Sequence, residues 1–348
     1  MIDKNFCLSS YIAFRYIFKE GIDFYEGMKH ENFKPLPIED RIKVKTAEDI
    51  DNEIQKQFDK LYEKYDNIGI LLSGGMDSGI LVSYLNEGSN AYTFSTDLSS
   101  VYDLEIERSK KYCNKFDLNQ HFIDISFGDY KEFTPIVMEH KCAPVHSIEP
   151  QIYKAALKAK ELGDDLIIVG ESADLIFGGM DQLISKNWTF DEFVKRYNFL
   201  EPELVLKNPC DVSELYERFR LPNDKIDVLS FMDNVFSIES SSSYLNAFNS
   251  ANVDYYDPYA KLIMEDELDL NRVRNGEPKY LIRELFAIKY PEFEIPDKIP
   301  MPRPVDKIFK DWEGPKREEF RGDIDMVELT GNQKWQLWCA QLFLNIFD

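Results

Sequence analysis

Ile68-Gly69-Ile70-Leu71-Leu72-Ser73-Gly74-Gly75-Met76-Asp77-Ser78 is the stretch that decides the fold of this chain. Its first five residues form a short uncharged apolar run, as expected of a strand buried on both faces of a parallel sheet. Two glycines follow where the chain must turn. Without a Cβ they let backbone amides point inward around an anion. Residues 77–85 then read as a helix. Its N-terminus brings N–H groups and partial positive charge to the same point. Ser73 and Ser78 can donate hydroxyl hydrogen bonds to phosphate oxygens. Asp77 would repel a bare phosphate, so its presence in the turn predicts a bridging Mg²⁺. A glycine turn with a helix cap is the plain alternative. The full run, placed between strand and helix, favours phosphate binding.

Outward from this turn, strands are predicted at residues 91–95, 121–125 and 165–170, and helices at 105–116 and 149–162. Such alternation implies an α/β fold with a doubly wound parallel sheet. Upstream, residues 47–66 form an amphipathic helix with Ile50, Ile54, Phe58 and Leu61 at helical spacing. Residues 1–45 read as an N-terminal appendage with an apolar helix-like piece at 8–18. The α/β domain is expected over 46–190 and a mostly helical region over 191–348, with segments at 190–197, 213–219, 225–245, 279–287 and 335–347. The proline-rich stretch 291–304 is expected to be a loop.

A second motif, Val169-Gly170-Glu171-Ser172-Ala173-Asp174, directly follows the fourth predicted strand. In an open α/β sheet, ligands bind beyond the carboxyl ends of the strands. Glu171 and Asp174 are thereby delivered to the rim that carries Asp77. One carboxylate can complete a magnesium shell and the other can handle an amine or its proton. An acidic helix start is the structural alternative, and the motif alone does not separate the two.

Bulk properties exclude several classes. The 348 residues carry 41 basic and 63 acidic side chains, a net charge of −22. So acidic a chain lacks the Lys/Arg surface that replaces counterions on nucleic acid. The five cysteines are scattered and form no C-x-x-C pair, which argues against a disulfide framework or zinc cluster and suits a reducing cytoplasm. No apolar run is long enough for a membrane span, and no signal peptide is visible at the start. His30, His121, His140 and His146 have no ligand spacing, and His140 and His146 are expected in loops.

These motifs resemble the synthetase domain of glutamine-dependent, class B asparagine synthetase, and those of its relatives the β-lactam synthetases and lasso-peptide cyclases. All belong to the pyrophosphate-loop (PP-loop) ATP pyrophosphatase type. The likeness extends from about residue 46 to about residue 310. Residues 73–78 match S-G-G-x-D-S. Thr93-Phe94-Ser95-Thr96 matches the strand associated with adenine, and Phe177-Gly178-Gly179 matches F-G-G. Gly170-Glu171-Ser172-Ala173-Asp174 resembles S-G-E-G-S-D, and the run from Lys279 to Arg283 resembles K-x-x-L-R.

The resemblance implies an ATP- and Mg²⁺-dependent ligase. It would adenylate a small-molecule carboxylate, release pyrophosphate and AMP, and pass the acyl group to ammonia or an amine. It places Leu72, Ser73, Gly74, Gly75, Asp77, Ser78, Thr96 and Gly170 around the nucleotide, with Asp77 and Asp174 on the metal. Lys279 would stabilise the leaving pyrophosphate, and Glu171 would serve the amine. The loop begins at residue 73, so a glutaminase domain has no room before it. Ammonia is then expected free, from a separate glutaminase or other supplying protein, or as an amine on a substrate.

The acceptor half departs from the family. Val169 stands for a serine and Leu175 for an acid. Where the family has A-R-x-P-F-L-D, this chain has Tyr255-Tyr256-Asp257-Pro258-Tyr259-Ala260-Lys261, and Val305 replaces a lysine after Arg303. Two rivals stay open. One is a tRNA-modifying PP-loop enzyme. The other is a degenerate nucleotide-binding protein without catalysis.

Overall fold

The computed structural model describes residues 1–97, 101–297 and 303–348. Part of the proline-rich stretch, residues 298–302, lies outside the described residues. The strands among the described residues are β1 (Ile42–Val44), β2 (Ile68–Leu71), β3 (Asn90–Ser95), β4 (Asn119–Asp124), β5 (Leu166–Ile168), β6 (Arg220–Leu221), β7 (Lys225–Ile226), β8 (Asp254–Tyr256) and β9 (Leu262–Met264). Five of them make one parallel sheet in the order β4-β3-β2-β5-β8. The fold is therefore the expected α/β parallel sheet. β2 is central, with Ile70 opposite Ala91 of β3 and Ile68 opposite Leu166 of β5. The chain runs outward through β3 and β4, then returns to β5 on the other side of β2. The strand order thus reverses between β2 and β5, where such sheets bind ligands.

The helices that position this sheet are α1 (Lys4–Phe14), α2 (Ala47–Tyr62), α3 (Met76–Val82), α4 (Val101–Phe116), α5 (Phe127–Lys141), α6 (Glu149–Leu162), the one-turn α7 (Ala173–Ile176) and α8 (Phe190–Tyr197). Longer helices follow at Ser237–Ala251, Tyr280–Lys289 and Gly331–Phe347. Side chains alternate across β5. Leu166 and Ile168 join a core with Ile54, Phe58, Ile80 and Phe286, while Ile167 and Val169 join another with Tyr11, Ile152, Phe248 and Trp335. That period of two is what makes the apolar run a strand buried on both faces. α2 and α5 start with reciprocal capping boxes, Thr46 with Asp49 and Ser126 with Asp129, each cap worth about 1 kcal/mol.

The N-terminal segment is woven into these cores. Tyr11 is fully buried and its hydroxyl donates to the Val145 carbonyl at 2.8 Å. β1 pairs in parallel with β9.

Local expectations give way at several places. α5 was not anticipated, because Gly128 and Pro135 interrupt its pattern; its capping box is the signal that could have revealed it. His140 consequently sits on a helix rather than in a loop. The expected single helix over 225–245 is instead β7, a short turn of helix at Val228–Phe231, a π-helical stretch at Met232–Phe236, and then the helix from Ser237. β8, only three residues long, adds a fifth strand to the sheet far downstream of the others.

Candidate active site at the carboxyl ends of the strands

The loop leaving β2 is built from both neighbours. The Leu72 N–H donates to the Tyr92 carbonyl at 2.8 Å, and Thr93 Oγ1 donates to the Leu72 carbonyl at 3.0 Å. Within the turn, the Ser73 N–H donates to Ser78 Oγ at 3.1 Å, and the two serine hydroxyls lie 2.9 Å apart. The Gly75 N–H donates to Ser73 Oγ at 3.1 Å. The turn is thus closed on its own serine hydroxyls, and a bound phosphate would take the place of Ser73 Oγ and Ser78 Oγ as acceptor for these amides. Gly74 has no alternative: a Cβ there would stand 2.9 Å from the backbone Cα of Glu105. Gly170, leaving β5, packs its Cα face against the start of α3, where a Cβ would meet Asp77 and Ser78 backbone at 3.3 Å.

Leu72, Ser73, Asp77, Ser78, Gly170, Glu171 and Asp174 line one cleft over the sheet edge. Thr96, just past β3, turns its hydroxyl to donate to the Ile125 carbonyl at 2.6 Å. Three residues from separate stretches of chain meet in this region. Lys279 Nζ lies 2.9 and 2.7 Å from the two Asp77 carboxylate oxygens and 2.7 Å from Asp174 Oδ1. Lys279 itself is buried, 5% exposed, and its φ of 54° is left-handed. That conformation is uncommon for a residue with a Cβ and aims the side chain back from the N-terminus of the helix Tyr280–Lys289. Burial alone would lower the Lys279 ammonium, but the Asp77 and Asp174 carboxylates outweigh it and hold its pKa above the ordinary value. The Tyr259 hydroxyl donates to the Asp77 carbonyl at 3.0 Å and fixes that turn from below.

The F-G-G motif acquires a reason here. A Cβ on Gly179 would fall 2.0 Å from Asp174 Oδ1 and 2.8 Å from its Cα. Gly179 is therefore what lets Asp174 approach the cleft.

Glu171 forms the deep wall of the cleft, held by the Ser240 hydroxyl. Burial, with the nearby Asp257, Asp174 and Glu239 charges, raises its pKa to about 8 despite that hydrogen bond. Two further acids, not expected at the site from the sequence, belong to it. Glu105 of α4 lines the cleft and is pushed up to about 7 by burial, with Arg108 opposing. Asp257, just past β8, accepts N–H bonds from Ser172 at 2.7 Å and Tyr259 at 3.0 Å. It ties the Glu171 loop to the fifth strand, and burial raises its pKa to about 6. Asp257 was hidden because β8 itself was.

The donor set fits Mg²⁺-nucleotide. Asp77 and Asp174 offer only oxygen donors and converge on the Lys279 ammonium, and a divalent ion takes one or two such carboxylates plus phosphate oxygens. The serine hydroxyls and loop amides stand beside them for the phosphates.

The asparagine synthase family model matches residues 50–241. No curated protein matches the chain. Among solved structures, the chain is similar to a U34-tRNA thiolase from Methanococcus maripaludis that holds a 4Fe-4S cluster. The identity is 13% over 86% of this chain and 79% of that one, with a TM-score of 0.31. An NMN synthetase from Francisella tularensis is 11% identical over 74% of this chain and 100% of that one, with a TM-score of 0.29. Likeness at that level carries no argument about what this chain does.

Proposed function

The chain belongs to the asparagine synthase family and is an ATP-using PP-loop enzyme, and from that premise we propose that it is an AMP-forming carbon–nitrogen ligase. It adenylates a small carboxylic acid with release of pyrophosphate, then passes the acyl group to ammonia or an amine. The observation that carries this reading is the buried Lys279 ammonium shared by Asp77 and Asp174 beside the Ser73–Ser78 turn.

The turn's amides and the Ser73 and Ser78 hydroxyls hold the β- and γ-phosphates. Asp77 and Asp174 would hold Mg²⁺, which when bound supplies positive charge that neutralises the phosphates. The substrate carboxylate displaces pyrophosphate at the α-phosphorus. Lys279, already aimed at this point and kept charged by its acidic neighbours, stabilises the charge that develops on the leaving group. The amine then attacks the acyl carbon and AMP departs. Glu171 accepts the proton that the amine nitrogen sheds. Its raised pKa suits it to take and later release a proton near neutral pH.

The test is to incubate the full chain with Mg-ATP, a panel of small carboxylic acids including aspartate, and ammonia or hydroxylamine, and to separate the nucleotides. AMP that depends on one acid and is lost in Asp77→Ala is the expected result. ADP in place of AMP would overturn the adenylation step, and AMP formation that required tRNA would transfer the chemistry to that substrate.

A further inference from the structure

Past Glu171 the cleft meets a second cavity, on the side away from the pyrophosphate loop. Glu171 and Tyr244 belong to the walls of both. Phe33, Tyr244 and Tyr255 line the second cavity with Tyr256, whose side chain turns to the other face of the sheet, and Lys261 stands in its wall. The elements that carry these rings are tied in place. The Phe33 N–H donates to Ser242 Oγ at 2.8 Å and draws the N-terminal segment across the cavity. Tyr255 stacks on Phe248 with centroids 4.9 Å apart and 13° between planes. The Tyr256 hydroxyl donates to Gln57 Oε1 at 2.8 Å. Aromatic residues held this way offer apolar surface at little further cost in rotamer entropy.

The charged groups of this cavity differ in their engagement. Asp257 is taken up by backbone N–H groups, and Glu171 by Ser240. The Lys261 ammonium has no carboxylate within ion-pairing distance among the described residues, and lies 5.8 Å from the Tyr256 ring centroid.

We propose that this cavity binds the aromatic body of a co-substrate whose far end carries a carboxylate, paired with Lys261, and whose reacting group lies at Glu171. Which end reacts rests on the ligase reading; the binding itself does not. The same chemistry could belong to the amine or to the acid that is activated. Isothermal titration calorimetry on the full chain separates them with two pairs of probes: para-aminomethylbenzoate against benzylamine, and para-carboxymethylbenzoate against phenylacetate.

In at least one pair the probe with the additional carboxylate should bind about tenfold tighter, the margin of a partly desolvated charge pair. The pair that carries the margin names the source. The margin should vanish in Lys261→Met and persist in Lys261→Arg; Lys261→Gln serves if the methionine variant does not fold. No margin in either pair, or a margin that survives loss of the ammonium, would overturn the proposal. AMP formation lost in Asp77→Ala but indifferent to the second carboxylate would sink this inference and leave the ligase reading intact. Carboxylate-dependent binding without AMP formation would do the reverse.

Discussion

Replacing Lys279 by methionine keeps the length of the side chain and removes the cation held between Asp77 and Asp174. The ammonium lies 2.7 Å from a carboxylate oxygen of each, and its side chain is 6% exposed. Without it, two carboxylates face one another at a separation on the order of 5 Å. At an effective dielectric of about 20 their repulsion is roughly 3 kcal/mol, within the range for stripping one partner from a buried ion pair. With an unfolding entropy of about 2.1 cal/mol/K per residue, a chain of this length should melt roughly 4 °C lower.

The assay is thermal unfolding in EDTA, repeated with millimolar Mg²⁺. Because the metal no longer competes with an ammonium for the same oxygens, Mg²⁺ should raise the melting point of Lys279→Met more than that of the wild type. Lys279→Gly separates charge from backbone. The φ of 54° suits glycine, so about 1 kcal/mol of strain is relieved while the charge is still lost. An unchanged melting point for Lys279→Met in EDTA, or a larger Mg²⁺ shift in the wild type, would refute the reasoning.

Glu171→Gln should slow acyl transfer by about 10²–10⁴-fold while leaving acid-dependent pyrophosphate exchange largely intact, and should remove the rise in rate through about pH 8. The same variant has a stability signature. A carboxyl whose pKa rises on folding binds protons more tightly in the folded state, so wild-type stability falls as pH rises from the unfolded value towards about 8. Glu171→Gln should therefore be the more stable protein at pH 9, by roughly 2 kcal/mol after solvent screening in the cleft, and the difference should close towards pH 4.5; melting curves across pH would expose the opposite sign. Gly179→Ala must displace Asp174, costing about 1–3 kcal/mol, and should lower Mg-ATP turnover more than tenfold; normal turnover would mean that Asp174 does not serve the metal.

The two glycine motifs were readable because they are local. Strand, turn and helix start lie within eleven residues, Ile68 to Ser78, and each obeys its own chemistry. Glu171 and Asp174 could be placed on the same rim because consecutive parallel strands present their carboxyl ends together. Glu105 could not be read as a cleft residue, since on α4 it is one acid among several. Asp257 was out of reach for another reason: β8 has three residues and no alternation to detect, and its place beside β5 is set by pairing across some ninety residues of chain.

The sequence by itself determined the parallel sheet, the phosphate-type turn and the identity of the charged groups near it, because hydrophobic period, glycine placement and helix starts act over a few residues. Only the tertiary structure decided that Lys279, two hundred residues downstream of Asp77, lies within 2.9 Å of it. It also decided that Gly179 exists to admit Asp174, and that Phe33 from the N-terminal segment closes the cavity of Lys261. Those facts depend on which surfaces pack against which. Packing is settled by the burial of whole faces, not by the neighbours a residue has along the chain.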